Sequence, residues 1–443
     1  MNSFITIYLI FGSITLSLSL VYFLLISYFS VNSKKFARNP VKDLSDVTVL
    51  IPVYGEDEAV FRKVISSVAR QGARILVVGD GCDEPYRSIV NSAGGEFLRT
   101  PERSGKRVAL SFGINHVKSK YVLLLDSDTI LPQDGLKNML SIMDKDVGGV
   151  SVNVRNVKTG NTYYLAELIE RLKEMTMRAV NGSGYAMLLN GKCSLYRVDL
   201  IKPFMQTDEF KYPTFLGRRA LIGDDKQLTN YVISKGFKAI VDFETVALTY
   251  PPENLKKLSK QLLRWSRANY YFFAREIRDG TMLKRGPVYV YNFFYTTVLP
   301  FLLTVMTVLD LFFMDSVLAD TNPVDYENAV IYGGNFILHL PLIIAKRLLF
   351  TFFVGYFPIA HLHPRVPQLH ANLLPRINLK YSIILGHLAN YLTIVPFVYS
   401  LWRLMAEEKL KTLVIGSLGL LIQWIVSFYA LLTIWDQDKW LTR

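Results

Sequence analysis

The chain has 443 residues, 51% of them hydrophobic, and a mean hydropathy of +0.24, which excludes a single ordinary soluble domain. A formal net charge of +13 leaves nucleic acid, anionic lipid or an anionic substrate as charge partners, beside the plain positive-inside bias of a membrane protein. The two cysteines, Cys82 and Cys193, form neither a disulfide framework nor a metal-ligand spacing and read as free thiols in a reducing compartment.

The first element is an apolar run from about Phe4 to Tyr28, long enough to cross a bilayer core of ~30 Å. It lacks a basic leader and a small-residue cleavage site, so it reads as a retained anchor rather than a signal peptide. Lys34, Lys35, Arg38 and Lys42 follow it and place the next segment in the cytoplasm. Residues 1–30 are thus a transmembrane helix, and 31–253 a cytoplasmic catalytic domain. Within that domain Val47–Val53, Ile75–Val78, Tyr121–Leu125 and Val147–Val152 read as strands. Phe61–Arg70, Val108–Val117 and Leu136–Met143 read as the helices between them. The alternation predicts an α/β domain with a mainly parallel sheet, whose ligands sit at the carboxyl ends of the strands.

Residues 254–286 mix bulky apolar and basic side chains, with no uninterrupted span, and predict amphipathic helices lying in the bilayer interface. Residues 287–443 hold further spans at about Tyr289–Phe313, Val330–Ala345, Tyr381–Leu401 and Leu413–Ile434. The acidic loop Met314–Asn328 looks external, and His361–Lys380, with Arg365, Arg376 and Lys380, looks cytoplasmic. Lys346 and Arg347 mark the cytoplasmic end of the third span, with Leu348–Ala360 re-entrant or interfacial; a hairpin of two short spans is the alternative. Tyr291, Asn292, Tyr295, Asn335, His387, Asn390 and Tyr391 are polar enough either to line a path for a sugar chain or to bond helix to helix.

Three motifs carry chemistry. Leu125 leads into Asp126-Ser127-Asp128, two carboxylates one residue apart; strand alternation would turn both toward one Mg²⁺ or Mn²⁺ ion. Gly223-Asp224-Asp225 opens a predicted helix, where one aspartate can be the N-cap and the other can take a proton from an acceptor hydroxyl. Gln261, Arg264 and Trp265 share a helix face, with a guanidinium for phosphate and an indole plane for a sugar ring. Two weaker features are Asp80, which ends a strand, and Ser104-Gly105-Lys106-Arg107, which offers amides and cations to a diphosphate.

Taken in order, Ile51-Pro52-Val53-Tyr54, Asp80, Gly105-Lys106, Asp126-Ser127-Asp128, Gly223-Asp224-Asp225, Gln261-x-x-Arg264-Trp265 and Trp440-Leu441-Thr442-Arg443 resemble the processive family 2 glycosyltransferases. The Gly-Asp-Asp triplet, Arg264-Trp265-Ser266 and the ending resemble the branch of hyaluronan synthases and the pneumococcal type 3 capsule synthase. The resemblance implies a GT-A-type fold joined to a transmembrane channel, in a multi-pass protein of the plasma membrane. It implies inverting transfer from UDP-sugars (UDP-GlcNAc, UDP-GlcA or UDP-Glc) onto a growing polysaccharide, with Mg²⁺ or Mn²⁺ and no nucleic-acid partner. It assigns Asp80 to uridine, Lys106 to the nucleotide, Asp126 and Asp128 to donor and metal, and Asp225 beside Asp224 to the base. Gln261, Arg264 and Trp265 become the acceptor collar, and Trp440 and Arg443 the gate. Leu441 stands where the branch has glycine, and Asn190-Gly191-Lys192 where it has Ser-Gly-Pro. The rival readings are a non-processive transferase acting on a polyprenyl-phosphate carrier and a membrane protein with an inactive transferase domain.

Overall fold

The computed structural model describes residues 2–41, 43–215, 217–220, 223–299, 301, 302, 305 and 394–436. The predicted span Val330–Ala345, the residues Asn335, His387, Asn390 and Tyr391, and the predicted gate with Trp440 and Arg443 lie outside the described residues. The chain divides into two compact units, Met1–Tyr28 with Tyr291–Arg403, and Phe29–Val290 with Leu404–Arg443.

The larger unit is built on strands Val47–Val53 (β1), Arg74–Gly79 (β2), Glu96–Arg99 (β3), Tyr121–Leu125 (β4), Thr129–Ile130 (β5), Val147–Asn156 (β6), Cys193–Arg197 (β7) and Lys238–Thr249 (β10). A separate small ribbon pairs Thr214–Phe215 (β8) with Arg218–Arg219 (β9). The sheet order is β3-β2-β1-β4-β7-β6-β10-β5. Its helices are Glu58–Ala69 (α2), Tyr86–Ser92 (α3), Lys106–Ile114 (α4), Gly135–Ile142 (α5), Tyr163–Asn181 (α6), Val198–Met205 (α7), Asp208–Lys211 (α8), Asp224–Ser234 (α9) and Leu255–Asp279 (α10), after Asn2–Val31 (α1) at the amino end. Residue alternation divides the core. Val47, Val49, Ile51 and Val53 of β1 pack with Phe61, Val64 and Val68 of α2 and with Leu136 and Met139 of α5. Leu50 shares the opposite face with Leu76, Val78 and Leu124, under α4, α7 and α9.

The predicted strands and helices are present, but the sheet is mixed rather than mainly parallel. β1 runs parallel to β2 and β4, whereas β7 lies antiparallel between β4 and β6. This strand, Cys193–Arg197, is short and follows a loop, so hydrophobic patterning alone gives it little signal. Its direction has a consequence for function. Cys193, its first residue, pairs with Leu125, the last of β4, so the loop before β7 meets the loop after β4 at one edge.

A single 25-residue amphipathic helix, α10, replaces the several predicted over 254–286. Asn254 caps its start by accepting the Lys257 amide at 2.9 Å, and Gly280, at φ 66°, ends it in the left-handed conformation. Among the described residues one helix, Lys409–Leu432, is long and apolar enough to cross a membrane; Ser17–Val31 and Ile394–Leu404 are shorter apolar stretches. Lys409–Leu432 packs against α6 and α10. Gly416 and Gly419 let it approach the backbone of α6 closely, while Val414, Leu418, Ile425 and Tyr429 stay exposed. On the sheet side of α6, Arg171 is fully buried, paired with Glu167 at 2.9 Å and with Glu174.

In the smaller unit, the helical residues 291–299 dock on α1. Tyr291 donates to the Leu18 carbonyl at 2.6 Å, Tyr22 donates to Asn292 at 3.2 Å, and Tyr295 donates to Ser19 at 3.0 Å. These polar groups, weighed from sequence as a possible sugar path, here bond helix to helix.

A Cβ on Gly416 would stand 2.5 Å from Leu168 Cβ and 2.7 Å from the Tyr164 carbonyl oxygen. Gly416→Ala should therefore destabilise the protein by about 1–3 kcal/mol, read as a lower Tm in detergent. Gly182→Ala, where nothing lies within 4 Å and φ is −60°, should leave Tm unchanged or raised.

Candidate active site

Asp80 and Asp126 lie at the carboxyl ends of β2 and β4, and Lys106 and Asp224 are brought to them. Asp80 follows β2, and both its oxygens are engaged. Oδ1 accepts the Ser104 amide at 2.8 Å and Oδ2 accepts the Gly105 amide at 2.9 Å. Gly105, at φ 94°, is the N-cap of α4 and turns the chain so that Lys106 heads the helix. Asp80, predicted as a nucleotide contact, thus braces the turn that aims Lys106.

Lys106 is the electrostatic centre. Its ammonium lies 2.8 Å from Asp126 and 3.2 Å from Asp224, and it donates to the Gly191 carbonyl at 3.4 Å. Burial alone would lower its pKa, but Asp126 and Asp224 outweigh burial and raise it, so the cation is permanent. Strand alternation predicts both motif carboxylates turned the same way; instead they diverge, because β4 ends at Leu125 and the Thr129 amide closes a turn onto the Asp126 carbonyl at 3.1 Å. Asp126 faces Lys106, while Asp128 lines a cavity with Gln261 and Trp265.

The Gly223–Asp225 motif also differs locally from the expectation. Gly223 is the N-cap, and the aspartates occupy the first helical turn of α9. Asp224 is buried; desolvation would raise its pKa, but Lys106 and Arg107 reverse this and hold it low. Asp225 is pushed the other way, first by burial and then by the charge of Asp224. Two neighbouring carboxylates with opposed shifts are the electrostatic pattern of an acid–base site. Asp225 sits against Gly191, where a Cβ would come 2.9 Å from Asp225 Cβ and 3.1 Å from its Oδ2. Its Oδ1 accepts the Lys226 amide at 2.8 Å.

On α10, Gln261 and Trp265 face the cavity, whose wall is completed by Glu170, Lys192, Thr249 and Tyr250. Arg264 lies on the same helix one turn from Gln261 and does not line the cavity. The cavity has a volume of about 30 Å³, room for water molecules rather than a sugar ring. Sequence reasoning did not assign Glu170, Lys173 and Lys192 to the site. Lys192 pairs with Glu170 at 3.2 Å, Lys173 pairs with Glu170 at 3.7 Å, and Lys173 stands 5.0 Å over the Trp265 ring. Burial would raise the Glu170 pKa, but Lys173, Lys192 and Arg171 bring it down to about 2. The one sequence signal was Asn190-Gly191-Lys192, visible as a departure from the resembled branch. Thr249, 1% exposed, presents a hydroxyl without a protein partner at the cavity. Cys82 and Cys193 are free thiols; burial, with Asp80 and Asp126 respectively, pushes both up and away from reactivity.

Among the described residues no three His, Cys, Asp or Glu side chains gather to hold a metal by themselves. Asp126 and Asp128 are carboxylates of the kind that Mg²⁺ or Mn²⁺ takes together with phosphate oxygens and water, but here Asp126 is paired with Lys106 while Asp128 faces the cavity.

Residues 45–268 match the family model described as "Glycosyltransferase like family 2". An N-acetylglucosaminyltransferase of Azorhizobium caulinodans is 28% identical over 247 residues, covering 52% of this chain and 62% of that protein. Hyaluronan synthase 3 of Xenopus laevis is 25% identical over 324 residues, covering 61% of this chain and 56% of that protein. The chain thus spans less than two thirds of the length of these relatives. A mannosyltransferase of Pyrobaculum calidifontis, solved with GDP-Man and Mn²⁺, superposes with a TM-score of 0.54 over 83% of this chain and all of that one, at 18% identity. This likeness shows the GT-A-type α/β fold.

Two outcomes follow from the geometry around Asp225. Gly191→Ala should displace its carboxyl and lower kcat by about tenfold or more, because misplacement by 1 Å can cost ~10²-fold, with Tm little changed. The acid limb of the pH–rate profile should lie above the ordinary aspartate value of 3.8, since the raised group must ionise to act as base.

Proposed function

The chain belongs to glycosyltransferase family 2; from that premise we propose that it is a hexosyltransferase, a membrane-embedded, processive polysaccharide synthase of the hyaluronan synthase type. The observation that carries this reading is the cavity shared by Asp128 with Gln261 and Trp265. A donor-side carboxylate and an acceptor-side indole border one space, linked through Lys192 and Gly191 to Asp225. The rhizobial and vertebrate relatives support UDP-GlcNAc as a donor and a polymer as product. The +13 charge is in keeping with UDP-GlcA as a partner donor or with anionic headgroups. The helices α1 and Lys409–Leu432 support a multi-pass protein of the plasma membrane.

The chemistry follows from the side chains. Asp225 takes the proton of the acceptor hydroxyl as its oxygen attacks the anomeric carbon, and the diphosphate leaves from the opposite face, inverting that centre. Lys106 sits where negative charge builds on the leaving group, and Asp224 keeps Lys106 in place. Asp128, with Asp126, would hold a divalent cation, which would supply further neutralisation of the diphosphate. Trp265 gives the acceptor ring its stacking plane and Gln261 a hydrogen bond. By resemblance to the family, Arg264 is assigned to the diphosphate and Trp440 with Arg443 to the gate.

Purified protein given UDP-GlcNAc, UDP-GlcA and UDP-Glc, singly and in pairs with Mn²⁺, should release UDP and build a long polymer that linkage-specific hydrolases identify. Chelation should stop synthesis. Asp225→Asn should lower synthesis by roughly 10²-fold or more while UDP still binds. Short lipid-linked product alone would contradict processivity.

A further inference from the structure

Four consecutive residues open α9, and three of them anchor it. Asp224 holds Lys106, and Gln227 accepts from Arg107 at 2.6 Å, both on α4. Lys226 turns the other way, to α10, where its ammonium lies 3.1 Å from Glu276. It also donates to the Tyr289 hydroxyl at 2.5 Å and the Met187 carbonyl at 2.8 Å. Asp225 makes no ion pair among the described residues, so its orientation is whatever its neighbours impose.

The receiving site is built for this contact. Glu276 is fully buried and accepts from Tyr289 at 2.6 Å and Asn230 at 2.8 Å, with the Arg285 guanidinium at 3.5 Å. Arg285 is itself buried, donating to Asn230 at 2.5 Å and to the Ala186 carbonyl at 3.1 Å. A buried ion cluster is poor value for stability alone, since apolar residues of the same volume do as well or better. It does impose one geometry, because each charge accepts few arrangements. The helix that holds Glu276 also carries Gln261 and Trp265. Trp265 is about 16 Å along the axis from Glu276, so a few degrees of tilt there moves the indole by roughly an ångström, enough to cost ~10²-fold in a reaction that needs alignment.

We propose that the Lys226–Glu276 pair, seated on Tyr289 and Arg285, is a positioning device that sets the base-bearing helix α9 against the acceptor-bearing helix α10. It thereby decides whether the activated sugar goes to the acceptor or to water. This rests on the reading of Asp225 as base and of the Gln261–Trp265 face as the acceptor wall. Lys226 and Glu276 touch no reacting atom. Their effect is on partition: loss of register leaves the donor half of the site, with Asp80, Lys106 and Asp126, intact while the acceptor hydroxyl is misaligned. Burial and Arg285 lower the Lys226 pKa to about 8 against the opposing pull of Glu276 and Asp225. Tyr289, Asn230 and the Met187 carbonyl complete its surroundings, so the device loosens as pH rises through that value.

The test is the ratio of UDP released to sugar incorporated, measured on the full chain in detergent with UDP-GlcNAc and UDP-GlcA together and Mn²⁺. Lys226→Met and Tyr289→Phe should each raise that ratio by about tenfold, with KM for the donor within about twofold; Lys226→Arg should restore it. In the natural protein the ratio should climb above pH 8, and in Lys226→Arg it should not. Tyr289→Phe removes one hydroxyl only and carries the test if Lys226→Met fails to fold. An unchanged ratio in Tyr289→Phe and Lys226→Met, or release and incorporation lost in equal proportion, would overturn the proposal while leaving the site reading intact. Failure of the site reading shows separately, as an Asp225→Asn variant that still builds polymer, and takes this proposal with it.

Discussion

The candidate site depends on one half-buried ammonium. Asp126 and Asp224 come from motifs far apart in sequence, and without a cation between them their charges would repel and one would take a proton. Lys106 stands between them at 2.8 and 3.2 Å and, with Arg107, holds Asp224 ionised against burial; burial first, and then the Asp224 charge, raise the neighbouring Asp225. Asp80 contributes at one remove by bracing the Ser104–Gly105 turn that aims Lys106. The charge states of Asp126, Asp224 and, through Asp224, Asp225 are therefore tied together, and a change at Lys106 reaches all three.

Topology supplies the second half of the arrangement. Because β7 runs against β4, the Asn190–Lys192 loop is delivered to the edge where Asp126 emerges, and the Asp126 amide donates to the Lys192 carbonyl at 2.9 Å. Gly191 leaves room for Asp225, and Lys192 reaches Glu170 on α6. The opposite side of α6 takes the close approach of Lys409–Leu432 at Gly416 and Gly419. A helix apolar enough for lipid is thus joined through one layer of packing to the loop that shapes the base pocket.

Much of this was legible in the sequence, for definite reasons. The strands Val47–Val53 and Tyr121–Leu125 appear with their expected bounds because β-branched and leucine runs buried on both faces leave no ambiguity of period. Asp126, Asp128, Asp225 and Trp265 stood out because short polar motifs at strand ends and helix starts are where such sheets bind ligands. The antiparallel β7 was not legible, since pairing direction is a long-range property that a five-residue strand does not encode. Glu170 and Lys173 were missed because charged residues on an amphipathic helix read as solvated, and only the fold buries Glu170; Lys192 was missed because it lies in a loop whose partner on α6 is set by the fold. The Gly223 N-cap displaced the expected aspartate cap because both carboxylates serve the site instead of the helix end.

The most direct test of convergence is a cryo-EM map of the protein with UDP and Mn²⁺. The account predicts the metal at about 2.1 Å from a carboxylate oxygen of Asp128, the diphosphate against Lys106, and Asp225 and Trp265 facing the space where the sugar would be. A nucleotide bound elsewhere, or Asp128 and Asp225 turned toward separate surfaces, would contradict it.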